Sequence, residues 1–154
     1  MNFSMNSNSV NPLTIKVKYH TDITPLQQVE VGDAIDVRAA EDIDLLYMQS
    51  TKIPLGFSCQ LPDGYFALLM PRSSTFDKYG IIQTNSIGCI DSTYCGNDDQ
   101  WMLPVVARRT DVHIPKNERI AQFIIIPKMP TINFEPVNDL ENDNRGGFGS
   151  TGRA

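Results

Sequence analysis

The stretch RGGFGSTG, residues 145–152, sets an arginine, a phenylalanine, a serine and a threonine among four glycines. Such a segment packs no core, but glycine lets the backbone close tightly on a ligand. Arg145 can pair with phosphate, Phe148 can cover a flat ring, and Ser150 and Thr151 can donate to phosphate oxygens. The plain alternative is the end of a flexible linker. In MPRSSTFDKYG (70–80), an apolar strand runs into Arg72, and Ser73 and Ser74 open a short helix. Free N–H groups at a helix start, two hydroxyls and a guanidinium together grip anions. A serine N-cap beside a solvated arginine has the same sequence.

In TNSIGCIDSTYCG (84–96), Gly88 allows close approach to the backbone, and Asp91 stands at the inner end of a β-hairpin. An aspartate so placed can orient a water and take its proton, while Tyr94 can stack on a sugar or base. The competing reading is an aspartate that bonds its own turn and a core tyrosine. In NERIAQF (117–123), Arg119 and Gln122 interrupt an apolar strand and need partners, either structural or ligand. EDIDLL (41–46) offers Glu41, Asp42 and Asp44, which suit magnesium near a triphosphate or make an ordinary acidic strand edge.

These residues need a frame. The chain has 154 residues, enough for one domain with a real core. Its apolar share of 41% and charged share of 20% are those of a soluble globular protein. Net charge is −5 with scattered basic residues, which argues against nucleic acid as a partner but allows a small anion at a local cluster of arginines. No apolar run is long enough to span a membrane, and the N-terminus lacks a secretory layout, so no membrane partner and an intracellular (cytoplasmic) location are expected. The cysteines Cys59, Cys89 and Cys95 form no C-x-x-C pair, which disfavours a disulfide framework or structural zinc.

Residues 1–12 read as a disordered tail. LTIKVKYH alternates as a half-buried strand does, and AIDVRA and DIDLLYM read similarly. GYFALLMP (64–71) and RIAQFIIIP (119–127) are apolar at both parities, so both faces should be covered. Turn signals recur at Pro62-Asp63-Gly64, Asn85-Ser86, Gly96-Asn97-Asp98 and Pro115-Lys116-Asn117. One short helix is expected at 73–80, ended by Gly80. Many short strands predict an all-β barrel or sandwich over 13–133. Two-faced apolar strands in so small a barrel suggest an oligomer interface, and residues 134–154 form an extended arm.

Together the five stretches resemble the five motifs of the trimeric dUTP pyrophosphatases (dUTPases). GCIDSTY resembles the family's Gly-x-Ile-Asp-x-x-Tyr, and RGGFGSTG its C-terminal Arg-Gly-x-Gly-Gly-Phe-Gly-Ser-Thr-Gly. PRSS with Lys78 and Gly80 is similar to the second motif, and RIAQ to the fourth. The resemblance implies a distorted jelly-roll β-barrel with one short helix, assembled as a homotrimer with exchanged C-terminal arms and shared active sites. It implies hydrolysis of dUTP to dUMP and pyrophosphate, with Mg2+ as cofactor. Asp91 would be the general base. Tyr94 would stack on deoxyribose, and the backbone from Asn85 through Gly88 to Ile90 would read uracil. Arg72, Ser73, Ser74 and Gln122 would hold phosphates. Phe148 would cap the base, and Arg145, Ser150 and Thr151 would reach the terminal phosphate. Asp44 would touch the magnesium's water shell.

The sequence departs from the family at three places. Only Asp44-Leu45 remain of a first motif Ala-Gly-Tyr-Asp-Leu, with Asp42 as rival; Cys95 stands where arginine is frequent, followed by an apparent insertion NDDQW (97–101); and Asn117 replaces a glycine. A dCTP deaminase of the same fold is the nearest alternative, but it needs a catalytic glutamate that QWMLPVVARRT lacks. A dUTP-sensing regulatory protein is the alternative from a different class.

Overall fold

The structure is a computed structural model that describes residues 11–147. Most of the expected 1–12 tail and the residues Phe148, Ser150 and Thr151 therefore lie outside the described residues. Among these residues eleven strands and one helix follow in the order β1 (Lys16–Tyr19), β2 (Ile35–Arg38), β3 (Ile43–Leu45), β4 (Ser50–Pro54), β5 (Phe57–Gln60), β6 (Tyr65–Pro71), α1 (Thr75–Tyr79), β7 (Ile81–Gln83), β8 (Gly88–Ile90), β9 (Met102–Ala107), β10 (Val112–Ile114) and β11 (Arg119–Pro127). Strands pair inward from the chain's two ends: β2 with β11, β3 with β10, β4 with β9. This is an antiparallel ribbon rolled on itself, the jelly-roll principle, and it makes the fold all-β as the turn-rich sequence predicts. Two further additions complete it. Strand β1 joins β5, and the four-stranded sheet runs β2-β11-β6-β8.

One core lies inside. In β9 the residues Leu103, Val105 and Ala107 are buried while Met102, Pro104 and Val106 are less so, the period of two that a strand requires. Trp101 is fully buried, with its ring 5.1 Å from Phe57 and 5.0 Å from Phe123. The stretch NDDQW, read as an insertion on a turn, thus ends in the largest side chain of the core. Cys59, Cys89 and Cys95 are free thiols; burial, with a smaller push from Cys95, raises the Cys59 thiol to about 12 and leaves it inert as a nucleophile.

Strands β6 and β11 run antiparallel with Leu69 opposite Phe123 and Leu68 opposite Ile124. Ala67, Leu69, Ala121 and Phe123 face the core. The second face, with Phe66, Leu68, Met70, Ile124 and Ile126, is only half covered within one chain. The expectation of burial on both sides is therefore met on one side by this chain and left open on the other.

Helix α1 is shorter than the serines suggest. Ser74 is its N-cap by position but makes no side-chain cap bond, and Gly80 ends it at φ 64°. A Cβ at Gly80 would stand 2.7 Å from the Arg109 Cβ, so both conformation and space demand glycine. The helix is tied to the start of β11 by Glu118, which accepts from Lys78 (2.8 Å) and from the Tyr79 hydroxyl. The Lys78 bond, then that of Tyr79, holds the Glu118 carboxyl below the usual carboxylate value, and the same Glu118 bond holds Lys78 above its own.

Two predictions follow from this packing. Trp101→Ala removes the centre of an aromatic triple and should cost about 3–5 kcal/mol of unfolding free energy in urea titration; a loss below about 1 kcal/mol would contradict the packing. Glu118 has a depressed folded pKa, so its contribution is present above the ordinary carboxyl value of 4.5 and is lost as pH falls through the folded one. Glu118→Gln should therefore flatten the acid limb of the stability–pH curve, and an unchanged acid limb would remove this role.

Candidate active site

The exit of β6 builds the first half of the site. The Arg72 N–H donates to Thr75 Oγ1 (2.9 Å), and the Thr75 hydroxyl donates to the Ile120 carbonyl (3.0 Å). Thr75, buried at 3% exposure, thus sews this turn onto β11 and leaves the Ser73 and Ser74 side chains exposed. The plain-cap reading of Ser74 does not hold, since its hydroxyl caps nothing. Nor is Arg72 merely solvated. Its Nε donates to Asp36 Oδ1 at 2.8 Å, while Arg119 Nη1 donates to Asp36 Oδ2 at 3.1 Å. Two guanidinium groups around one carboxylate leave net positive charge, and Arg72's Nη groups stay available to an anion. Gln122, opposite Asp36 in register, donates from Nε2 to the Pro71 carbonyl at 3.1 Å. The polar residues interrupting β11 thus have structural partners that aim the neighbouring arginine.

The turn between β7 and β8 builds the second half. It is not a hairpin in the ladder sense, because β7 pairs with β9 and β8 pairs with β6; the segment crosses between two sheets. Its bend is closed by Ile87 N–H donating to the Asn85 carbonyl (2.6 Å), with Ser86 at φ 60°. Gly88 sits against Leu69, where a Cβ would come within 3.3 Å of the Leu69 Cβ. Ile90 is half-buried, and Asp91 and Tyr94 are exposed. The turn after Asp91 is closed by its backbone carbonyl, which accepts from the Tyr94 N–H at 3.0 Å. Among the described residues the Asp91 carboxylate has no hydrogen-bond partner, so it is not spent on its own turn. Tyr94 is 41% exposed, not a core residue, and its hydroxyl donates to the Gln100 carbonyl at 3.0 Å. The 97–101 stretch therefore braces Tyr94.

The halves meet only at their near ends. A groove of about 380 Å³ lies between Arg72–Ser73 and Gln83–Ser86. Asp91 lies at the far end, one residue past Ile90, whose register partner is Ala67, whereas Arg72 follows Pro71. From Ala67 to Pro71 is already about 13 Å at ~3.3 Å per residue. Arg72 moreover reaches across β11 to Asp36 on β2, away from β8.

Asp44 is not brought to either half. It lies on β3, paired only with β10, and its Oδ1 is 2.7 Å from His113 Nδ1. Its rival Asp42 accepts from the Lys116 N–H at 2.7 Å in the same region. Glu41 is exposed beside them. Asp44 thus lies on the short β3–β10 ribbon and not on the four-stranded sheet that carries Arg72 and Gln122 within the same chain. The carboxylate the site does hold is Asp36, together with Thr75, Gln83 and Gln100, none of which sequence reasoning selected. One signal existed: in AIDVRA, Asp36 shares a parity with Arg38 between the apolar Ile35 and Val37. Arg145 is exposed on the extended segment that follows β11.

Against known proteins, residues 18–152 match the dUTPase family model. The chain is 46% identical over 141 residues, covering 91% of it and 99% of the relative, to the SPbeta prophage-derived deoxyuridine 5'-triphosphate nucleotidohydrolase of Bacillus subtilis (strain 168). It is 38% identical to the deoxyuridine 5'-triphosphate nucleotidohydrolase of Cutibacterium acnes, covering 79% of this chain and 80% of that one. Its fold is similar to that of the Staphylococcus bacteriophage 80alpha dUTPase with dUPNHPP, at TM-score 0.74 and 22% identity over 90% of this chain and 98% of that one. The Streptococcus mutans dUTPase superposes at TM-score 0.68 and 21% identity, over 77% and 99%. With its rolled ribbon, its arginine-rich strand exit and its aspartate-bearing turn, the chain belongs to the dUTPase family.

Proposed function

We propose that the protein hydrolyses dUTP to dUMP and pyrophosphate. The observation that carries this reading is the Asp91 carboxylate, exposed at the end of β8 beside a braced Tyr94. Asp91 takes a proton from a water, and the water's oxygen attacks the α-phosphorus in line. The bond from that phosphorus to the bridging oxygen breaks, and pyrophosphate leaves with the electron pair. Tyr94 stacks on deoxyribose and leaves no room for a 2′-hydroxyl. The tight bend from Asn85 through Gly88 to Ile90 reads uracil and excludes a 5-methyl group. Arg72, Ser73 and Ser74 hold phosphates, and Gln122 acts there through the Pro71 carbonyl.

The same reading includes a homotrimer with shared sites, and the geometry of one chain supports it. Asp91 and the Arg72 guanidinium diverge within one chain, so a nucleotide whose phosphates span only a few ångströms draws them from different chains. The half-covered face of β6 and β11 is the surface for such contacts. Beyond β11 the described residues 128–147 form no strand or helix, and the chain leaves Met129, Phe134 and Leu140 at 76%, 86% and 77% exposure. Apolar residues on an extended arm suit a neighbouring chain. The arm delivers Arg145, Phe148, Ser150 and Thr151 over the nucleotide and excludes bulk water.

The residues present fit a magnesium ion only as a passenger of the triphosphate. Among the described residues no group of three or more His, Cys, Asp or Glu could hold a metal. Mg2+ would supply charge neutralisation of the phosphates when bound; Asp36, beside the proposed phosphate grip at Arg72, is better placed toward it than Asp44, which pairs with His113. The dCTP deaminase alternative is not favoured, since β9 and its flanks carry no glutamate to activate water against a cytosine ring.

Pyrophosphate release should be strong with dUTP and far weaker with dTTP, dCTP and UTP; equal rates would refute the reading. Asp91→Asn should keep nucleotide binding and lose turnover by roughly 10²–10⁴-fold, and wild-type turnover would remove the proposed base. Asp36→Ala should raise KM for dUTP while Asp44→Ala leaves the kinetics unchanged, the reverse outcome restoring Asp44. Deleting residues 144–154 should cripple turnover and leave the oligomer intact in sedimentation.

A further inference from the structure

Gln83, the last residue of β7, is 6% exposed. Its Nε2 donates twice, to the Leu69 carbonyl at 3.2 Å and to Asn85 Oδ1 at 2.8 Å. Its Oε1 is sealed from solvent and meets no donor among the described residues. A buried acceptor without a donor is a cost that offsets what the two Nε2 bonds contribute. Stability therefore does not account for the amide.

Orientation does. A backbone carbonyl only accepts, so the Gln83 atom facing Leu69 must be the nitrogen. The same nitrogen faces Asn85, so the Asn85 atom it meets must be Oδ1. The Asn85 amide is thereby fixed with its NH2 group turned away from Gln83. That group borders the Gly88 notch, where an ideal Cβ would lie 3.6 Å from both Asn85 Nδ2 and Gln83 Nε2. Asn85 itself is exposed.

We propose that Gln83 is a positioning residue for pyrimidine choice: it locks Asn85 so that the turn offers donors to the carbonyl oxygens of uracil and no acceptor to the 4-amino group of cytosine. This rests on the dUTP-hydrolysing reading above. Without Gln83 the Asn85 amide is free to flip, and a flipped amide accepts from cytosine.

The test is steady-state kinetics of the full chain on dUTP and dCTP, with thermal unfolding alongside. Gln83→Leu should raise KM for dUTP about tenfold, leave kcat within about twofold, and lower the dUTP-to-dCTP ratio of kcat/KM. Its thermal midpoint should change little, since two bonds are lost together with the orphaned acceptor. In an Asn85→Ala background, Gln83→Leu should add nothing further to KM or to that ratio. Asn85→Asp keeps an acceptor for Gln83 but has no donor, so it should raise KM for dUTP with Gln83 intact; this arm decides the matter where Gln83→Leu does not fold. A wild-type KM and ratio in Gln83→Leu, an undiminished Gln83→Leu effect in the Asn85→Ala background, or a wild-type KM in Asn85→Asp would each overturn the proposal. A wild-type protein inert on dUTP would instead remove the reading beneath it.

Discussion

Seven consecutive residue pairs, from Tyr65–Pro127 to Pro71–Ala121, tie β6 to β11. Because side chains alternate across a strand, sliding this ladder by one residue would turn Leu69 and Phe123 out of the core and expose their faces to solvent. Burial of those side chains therefore pins the register. Once it is pinned, Pro71 must lie beside Gln122, Arg72 must leave the sheet next to β11, and Asp36 on β2 must stand within reach of both Arg72 and Arg119. On the other edge of β6, Gly88 is set against Leu69, which places the bend of residues 84–87 and, beyond Ile90, Asp91. Apolar packing thus fixes where Arg72, Asp36, Gln122 and Asp91 stand on the barrel.

The same ladder separates what it positions. It sends Arg72 toward β2 at one end and Asp91 off β8 at the other, so a single chain is a good scaffold for two half-sites and a poor one for a whole site. The half-covered face of β6 and β11 and the apolar side chains on the extended arm are what such a division would leave on an isolated chain. Catalysis and assembly then share one cause in this reading. The chain buries one face of its central strands by itself; on the proposed reading, association would cover the other and complete the site.

Much of this was legible in the amino-acid order. The alternation in β1, the two-faced apolar runs of β6 and β11, Gly80 as a helix end and the motif around Asp91 all follow from local rules that hold over a few residues. What escaped depends on contacts between residues far apart in the chain. Asp36 lies in an ordinary strand pattern and gains its role only when Arg72 and Arg119 arrive beside it. Asp44 sits in a more suggestive acidic run but is carried off on the β3–β10 ribbon. Trp101 ends a polar stretch that reads as an added loop, yet it closes the core against Phe57 and Phe123. The bend of residues 84–87 reads as a hairpin because its flanks are strands, and only pairing of β7 with β9 shows that it crosses between sheets.

The most direct measurement mixes two inactive chains. Asp91→Asn and Arg72→Ala proteins, each unable to turn over dUTP, are unfolded together and refolded, and pyrophosphate release is assayed. Random assembly into trimers that draw Asp91 from one chain and Arg72 from another restores intact pairs at about a quarter of the sites, so activity should reappear on mixing. Mixed oligomers, verified by mass, that stay as inactive as either parent would contradict a site divided between chains.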